Sequence, residues 1–108
     1  MEDTIKGLYE VILNRKENPE EGSYTCYLFE KGTDKILKKC GEECAEAIIA
    51  AKNKDKDELA NEICDLLYHY LVLIANENLD INKIKDILEQ RRQKISNLKT
   101  FHKVNKDS

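Results

Sequence analysis

Apolar positions along this chain recur at three- and four-residue spacings, the mark of amphipathic helices rather than strands. Ile5, Leu8, Tyr9 and Ile12 open the series and predict a helix over residues 4–17. Pro19 ends it, because the residue before a proline is pushed out of helical geometry. A second helix starts at Thr33 or Asp34, both good caps, and runs to about Lys52. A third follows Asn53-Lys54-Asp55, where Asp55 with Glu58 three residues later has the form of a capping box. It continues to about Asn76, and a fourth helix runs from Asp80 to Arg91 or a little beyond. Residues 18–32 read as a connection that is long for a small helical domain, with Tyr24, Tyr27 and Phe29 able to pack one face. The expected fold is all-α, a four-helix domain over residues 1–92 followed by a polar tail, 93–108, that is disordered in part.

Helical wheels at about 100° per residue place the apolar side chains and their borders. In the second helix Ile36, Leu37, Cys40, Cys44, Ala47, Ile48 and Ala51 share an arc of about 120°. Glu43 lies about 20° outside it, with Glu46 and Glu42 further round the same flank. In the third, Leu59, Ala60, Ile63, Leu66, Leu67, Tyr70, Leu71, Leu73 and Ile74 cover about 180°. Glu62 borders that arc, and Glu58, His69 and Asp65 follow on its flank. So wide an arc asks for a second surface, and a homodimer whose helices complete a bundle supplies one.

Composition narrows the function classes. The 108 residues are 41% hydrophobic and 36% charged, with a net charge of −3 and both signs interspersed, which argues against a nucleic-acid binder. No apolar run reaches the roughly 20 residues that span a bilayer, and the acidic, amphipathic start MEDTIKGLYEV is unlike a signal peptide. A cytoplasmic protein without a membrane partner is expected. Cys26, Cys40, Cys44 and Cys64 are then read as small, reduced core residues. A zinc site from Cys40, Cys44, Cys64 and His69 is the competing reading, but no CxxC pair supports it.

The acids carry the candidate chemistry. If the two apolar faces pack, Glu43 and Glu46 face Glu62 and Asp65 across one cleft. Like charges about 4 Å apart repel by roughly 1–4 kcal/mol, depending on the local dielectric. Such a cleft keeps some carboxylates protonated or holds a cation, and oxygen ligands favour Mg²⁺, then Mn²⁺ or Ca²⁺. The alternative is a solvated flank paired with lysines.

The order Glu42-Glu43-x-x-Glu46, then residues 47–61, then Glu62-x-x-Asp65 resembles the ExxE…ExxD signature of the MazG-like, all-α nucleotide pyrophosphohydrolases. GSYT at Gly22 to Thr25, DKILKKCGEECAEAIIAAKN from Asp34, ELANEICDLLYHYLVL from Glu58 and LEQRR from Leu88 are together similar to the phosphoribosyl-ATP pyrophosphatase family, over residues 4–92. The resemblance implies Mg²⁺-dependent hydrolysis of the α–β phosphoanhydride of 1-(5-phosphoribosyl)-ATP, the second step of histidine biosynthesis, in a stand-alone form without a fused cyclohydrolase domain. It implies Glu43, Glu46, Glu62 and Asp65 as catalytic metal ligands, Glu42 as a further or supporting one, and one of these as general base. Lys38, Lys39, Arg91 and Arg92 are candidate phosphate contacts, and Ser23, Tyr24 and Thr25 candidate hydroxyl contacts. His69 takes a structural or ligand-supporting role rather than a direct one. Two rival readings keep parts of this picture: a house-cleaning pyrophosphatase acting on dUTP, dCTP or damaged nucleotides, and a non-catalytic helical dimerisation module.

Overall fold

A computed structural model describes residues 1–96. Among them are five helices and no strand: α1 (Glu2–Glu17), α2 (Tyr24–Lys31), α3 (Thr33–Lys52), α4 (Lys56–Asn76) and α5 (Ile81–Ser96). The all-α expectation holds, but the count of four does not. The segment read as a connection contains α2, eight residues long. Ser23 starts it by accepting a hydrogen bond from the Cys26 backbone N–H, the usual work of an N-cap serine. Gly32 ends it and starts α3 at once, with φ 89° and ψ −170°, a conformation essentially reserved for glycine.

Residues Met1–Asn78 form one unit. Its core is Tyr9 and Ile12 of α1, Leu28 of α2, Ile36, Cys40 and Ala50 of α3, and Leu71, Val72 and Ala75 of α4. The longest seam runs between α3 and α4. These two helices turn back on each other through Asn53, Lys54 and Asp55, with Lys54 in the left-handed region at φ 58°. Asp55 caps α4 as the sequence predicts, its Oδ1 accepting from the Glu58 N–H at 3.1 Å. At the far end of α4, Lys16 of α1 donates to the Ala75 carbonyl at 2.7 Å and to Asn78 Oδ1 at 2.6 Å, satisfying a C-terminal carbonyl.

The second unit begins at Leu79 and holds α5. Asp80 caps it, with Oδ1 accepting from the Asn82 N–H at 2.9 Å. The helix continues past Arg91 to Ser96, so residues 93–96 of the expected tail are helical. The rest of that tail, 97–108, lies outside the described residues.

The apolar arcs are only partly buried in a single chain. Leu37, Ile48, Ile63, Leu67 and Tyr70 are all exposed, Ile48 by 59%. The α3–α4 crossing turns the acid-bearing flank inward and leaves part of each apolar stripe on the surface. Cys40 is buried, whereas Cys44 and Cys64 are exposed, which corrects their reading as core residues.

Candidate active site

Three carboxylates meet at the α3–α4 seam. Glu43 comes from α3, and Glu62 and Asp65 come from successive turns of α4. One oxygen from each lies within 4.8 Å of the others. Glu43 and Glu62 are each only 7% exposed, and Asp65 is open to solvent. Glu43 Oε1 faces the Lys39 ammonium at 3.7 Å. Glu43 Oε2 and Glu62 Oε2 are buried without a hydrogen-bond partner among the described residues.

Two acidic oxygens in that state are costly. Such crowding favours a proton on one of the carboxyls. The facing Glu43 carboxyl first, then Glu58, then burial and contact with Glu46, push the Glu62 carboxyl up to about 8. Glu46 itself is exposed, and it lines an open cavity of about 370 Å³ together with Glu58, Glu62 and Asp55. The sequence reading places Glu58 on this flank but gives it no role at the site. Its capping position hides the fact that it also reaches Glu62.

The structure sorts the remaining candidates. Glu42 is not part of the three-carboxylate group; it lies 3.6 Å from Lys39 and is substantially exposed. Lys39 bridges Glu42 and Glu43 and stands at the cleft, and Lys38 beside it is exposed. Arg91 and Arg92 are exposed on α5, where Arg92 pairs with Glu89 at 2.7 Å. Ser23 Oγ accepts the Cys26 N–H at the start of α2. Thr25 Oγ1 shares a short hydrogen bond with the Tyr68 hydroxyl.

Tyr24 bonds through its hydroxyl to His69 Nε2 at 2.9 Å, while His69 Nδ1 lies 2.7 Å from the Asp65 carbonyl oxygen. Both ring nitrogens of His69 are therefore engaged. Among the described residues Cys40, Cys44, Cys64 and His69 do not gather into a group that could hold an ion, against the zinc reading. His69 is 5% exposed. Its ring sits edge-on to Tyr24 and Tyr68, with centroids 5.8 and 5.0 Å away. Burial raises the Tyr24 phenol above its ordinary value and the Lys39 ammonium pulls it partly back, so Tyr24 keeps its proton. These ties link residues more than 40 apart in sequence, and no local pattern announces them.

The family described as phosphoribosyl-ATP pyrophosphohydrolase matches residues 5–92 of the chain. A protein of Clostridium novyi (strain NT) named phosphoribosyl-ATP pyrophosphatase is 56% identical over 97 residues, which cover 90% of this chain and 88% of that one. A protein of the same name from Clostridium botulinum (strain Kyoto / Type A2) is 54% identical over 102 residues, covering 94% and 93%. One from Bacillus cereus (strain AH820) is 54% identical over 96 residues, covering 89% and 90%. With such likeness along nearly the whole chain, and with the acids of α3 and α4 gathered at one seam, the chain belongs to the phosphoribosyl-ATP pyrophosphohydrolase family.

Proposed function

We propose that this chain hydrolyses the α–β phosphoanhydride of 1-(5-phosphoribosyl)-ATP to phosphoribosyl-AMP and pyrophosphate, the second step of histidine biosynthesis, with the help of Mg²⁺. The names of the relatives support the substrate. The observation that carries the chemistry is the pair of buried, donor-free oxygens on Glu43 and Glu62 beside Asp65. An all-oxygen set with orphaned acceptors fits a hard divalent cation. Glu43, Glu62 and Asp65 would hold it, with Glu46 from the cavity wall.

When bound, Mg²⁺ neutralises the charge that builds on the departing pyrophosphate. The protein's own groups do the rest. Lys39 presents an ammonium at the edge of the acid cleft for a phosphate oxygen. A carboxylate of the cluster accepts the proton of the attacking water. The open cavity beside Glu46, Glu58 and Glu62 gives that water access to the seam.

The enzyme acts as a homodimer in this reading. Ile48 and Ile49 on α3 and Ile63, Leu67 and Tyr70 on α4 are exposed apolar side chains of the kind a second subunit covers. Sedimentation should give twice the chain mass, and Ile63→Asp should shift it toward the monomer. The reaction is placed in the cytoplasm, with no nucleic-acid or membrane partner. No helix among the described residues is long and apolar enough to cross a membrane.

The deciding experiment follows pyrophosphate release from phosphoribosyl-ATP, dUTP and dCTP in parallel, with and without Mg²⁺. Mg²⁺-dependent release from phosphoribosyl-ATP alone is expected. Release from the deoxynucleotides instead would discard the substrate and keep the acidic site.

A further inference from the structure

A second, larger cavity lies against the end of α1 and against α2, and the chemistry described so far makes no use of it. It is open and holds about 910 Å³, a size that suits a small-molecule site. The rings of Tyr24 and Tyr27 line it, stacked with centroids 6.1 Å apart and 25° between their planes. They are left 46% and 39% exposed. Aromatic faces open to water at a cavity wall suit a planar ligand.

The charges around the cavity narrow the choice. Glu20, Glu21 and Glu30 line it against two cations, Arg15 and Lys16. Both cations are already engaged. Arg15 pairs with Glu20 at 3.4 Å, and Lys16 donates to the Ala75 carbonyl and to Asn78. Among the described residues Glu21 and Glu30 have no ion-pair partner. The Lys31 ammonium lies 5.7 Å from the centre of the Tyr27 ring but does not line the cavity. Such a lining repels a phosphate chain and attracts a flat ring that carries positive charge, and tyrosine faces favour the same kind of ring.

The cavity also adjoins the acids. Tyr24 bonds through its hydroxyl to His69, and the other ring nitrogen of His69 meets the backbone carbonyl of Asp65. One tyrosine and one histidine thus stand between the cavity and the carboxylate cluster. Adenine substituted on N1 has the basicity of an amidine, so its ring is a cation near neutral pH, whereas the ring of ATP is neutral. We propose that this cavity takes the base of the substrate and selects a purine made cationic by its N1 substituent, with Tyr24 and Tyr27 supplying ring faces and Glu21 and Glu30 the opposite charge. This deepens the function proposed above, on which it rests for the identity of the substrate, and it gives a physical reason for phosphoribosyl-ATP to be chosen over ordinary nucleotides.

The test uses nucleosides without phosphates, the full-length protein and no metal, so it reads neither turnover nor the acid cluster. 1-Methyladenosine and adenosine are titrated in turn, and the backbone amide shifts are followed by NMR. 1-Methyladenosine should move the amides of residues 15–30 with a Kd of about 1 mM, and adenosine should bind about fivefold more weakly. Tyr27→Leu should weaken 1-methyladenosine about fivefold. Glu21→Gln combined with Glu30→Gln changes only exposed side chains, so the fold is kept. This double variant should reduce the preference to about twofold or less, with adenosine binding changed by less than about twofold.

Equal binding of the two nucleosides, a preference that survives the loss of both glutamates, or shifts confined to α3 and α4 would each overturn the inference. So would the absence of any shift at about 10 mM of either nucleoside. A protein that prefers 1-methyladenosine in this way but leaves phosphoribosyl-ATP intact would sink the reaction proposed above and keep the site for a cationic purine. Hydrolysis of phosphoribosyl-ATP without that preference would do the reverse.

Discussion

Two buried polar clusters share the same few turns of α4 and are built in opposite ways. Around His69 each polar atom has found a partner: the imidazole between Asp65 and Tyr24, and the Tyr68 hydroxyl with Thr25. Around Glu62, carboxylates crowd together and two buried oxygens have no donor. A satisfied network rigidifies the fold, whereas an unsatisfied one stores a cost that a ligand relieves. The contrast separates the scaffold of the site from its working part.

Substitutions can break that contrast, and the largest effect belongs at Glu62. Glu62→Gln removes a carboxyl group able to hold the cation from the centre of the cluster and should lower pyrophosphate release by about 10²–10³-fold, measured at saturating Mg²⁺. The same cluster should make the metal-free protein sensitive to pH. Glu62 binds its proton more tightly in the folded chain, with its value raised from 4.5 to about 8. Its contribution to stability is therefore full below about 4.5 and is lost as pH rises through about 8. Urea unfolding in EDTA should show stability falling across that window. Mg²⁺ should flatten the fall, and so should Glu62→Gln.

At the satisfied cluster the expected effect is on the fold. Tyr68→Phe removes the hydroxyl bonded to Thr25 and should cost about 1 kcal/mol of stability, read by denaturant midpoint, with Mn²⁺ affinity unchanged. The smallest effect is expected at Glu42, exposed and, among the described residues, paired only with Lys39. Glu42→Gln should alter activity by no more than about twofold to threefold. A loss matching that of Glu43→Gln would move Glu42 into the cluster.

Much of this was legible in the chain. The bounds of α1, α3 and α4 followed from periodicity, and the Asp55 cap from its spacing to Glu58. Glu43 and Glu62 were recognisable as acids bordering apolar stripes. Their depth was not, because a wheel gives an angle within one helix and not the flank that a partner covers. The crossing of α3 and α4 buries both acids and leaves Ile48 and Ile63 outside. Helix α2 escaped notice because eight residues between Ser23 and Gly32 hold too few turns for a periodic signal. The bond from Tyr24 to His69 spans 45 positions and exists only once α2 has docked.

The short turn at Asn53, Lys54 and Asp55 has a consequence for the order of folding. Every acid assigned to the cation lies on the single hairpin that this turn closes. Contacts between neighbours in sequence form fastest, so the seam with its carboxylates can assemble before α1 and α2 join it. Pulse-labelled amides of α3 and α4 should gain protection ahead of those in α2. The acids proposed for the cation and the Lys39 ammonium beside them are thus encoded in one contiguous stretch of chain, which α1 and α2 join afterwards.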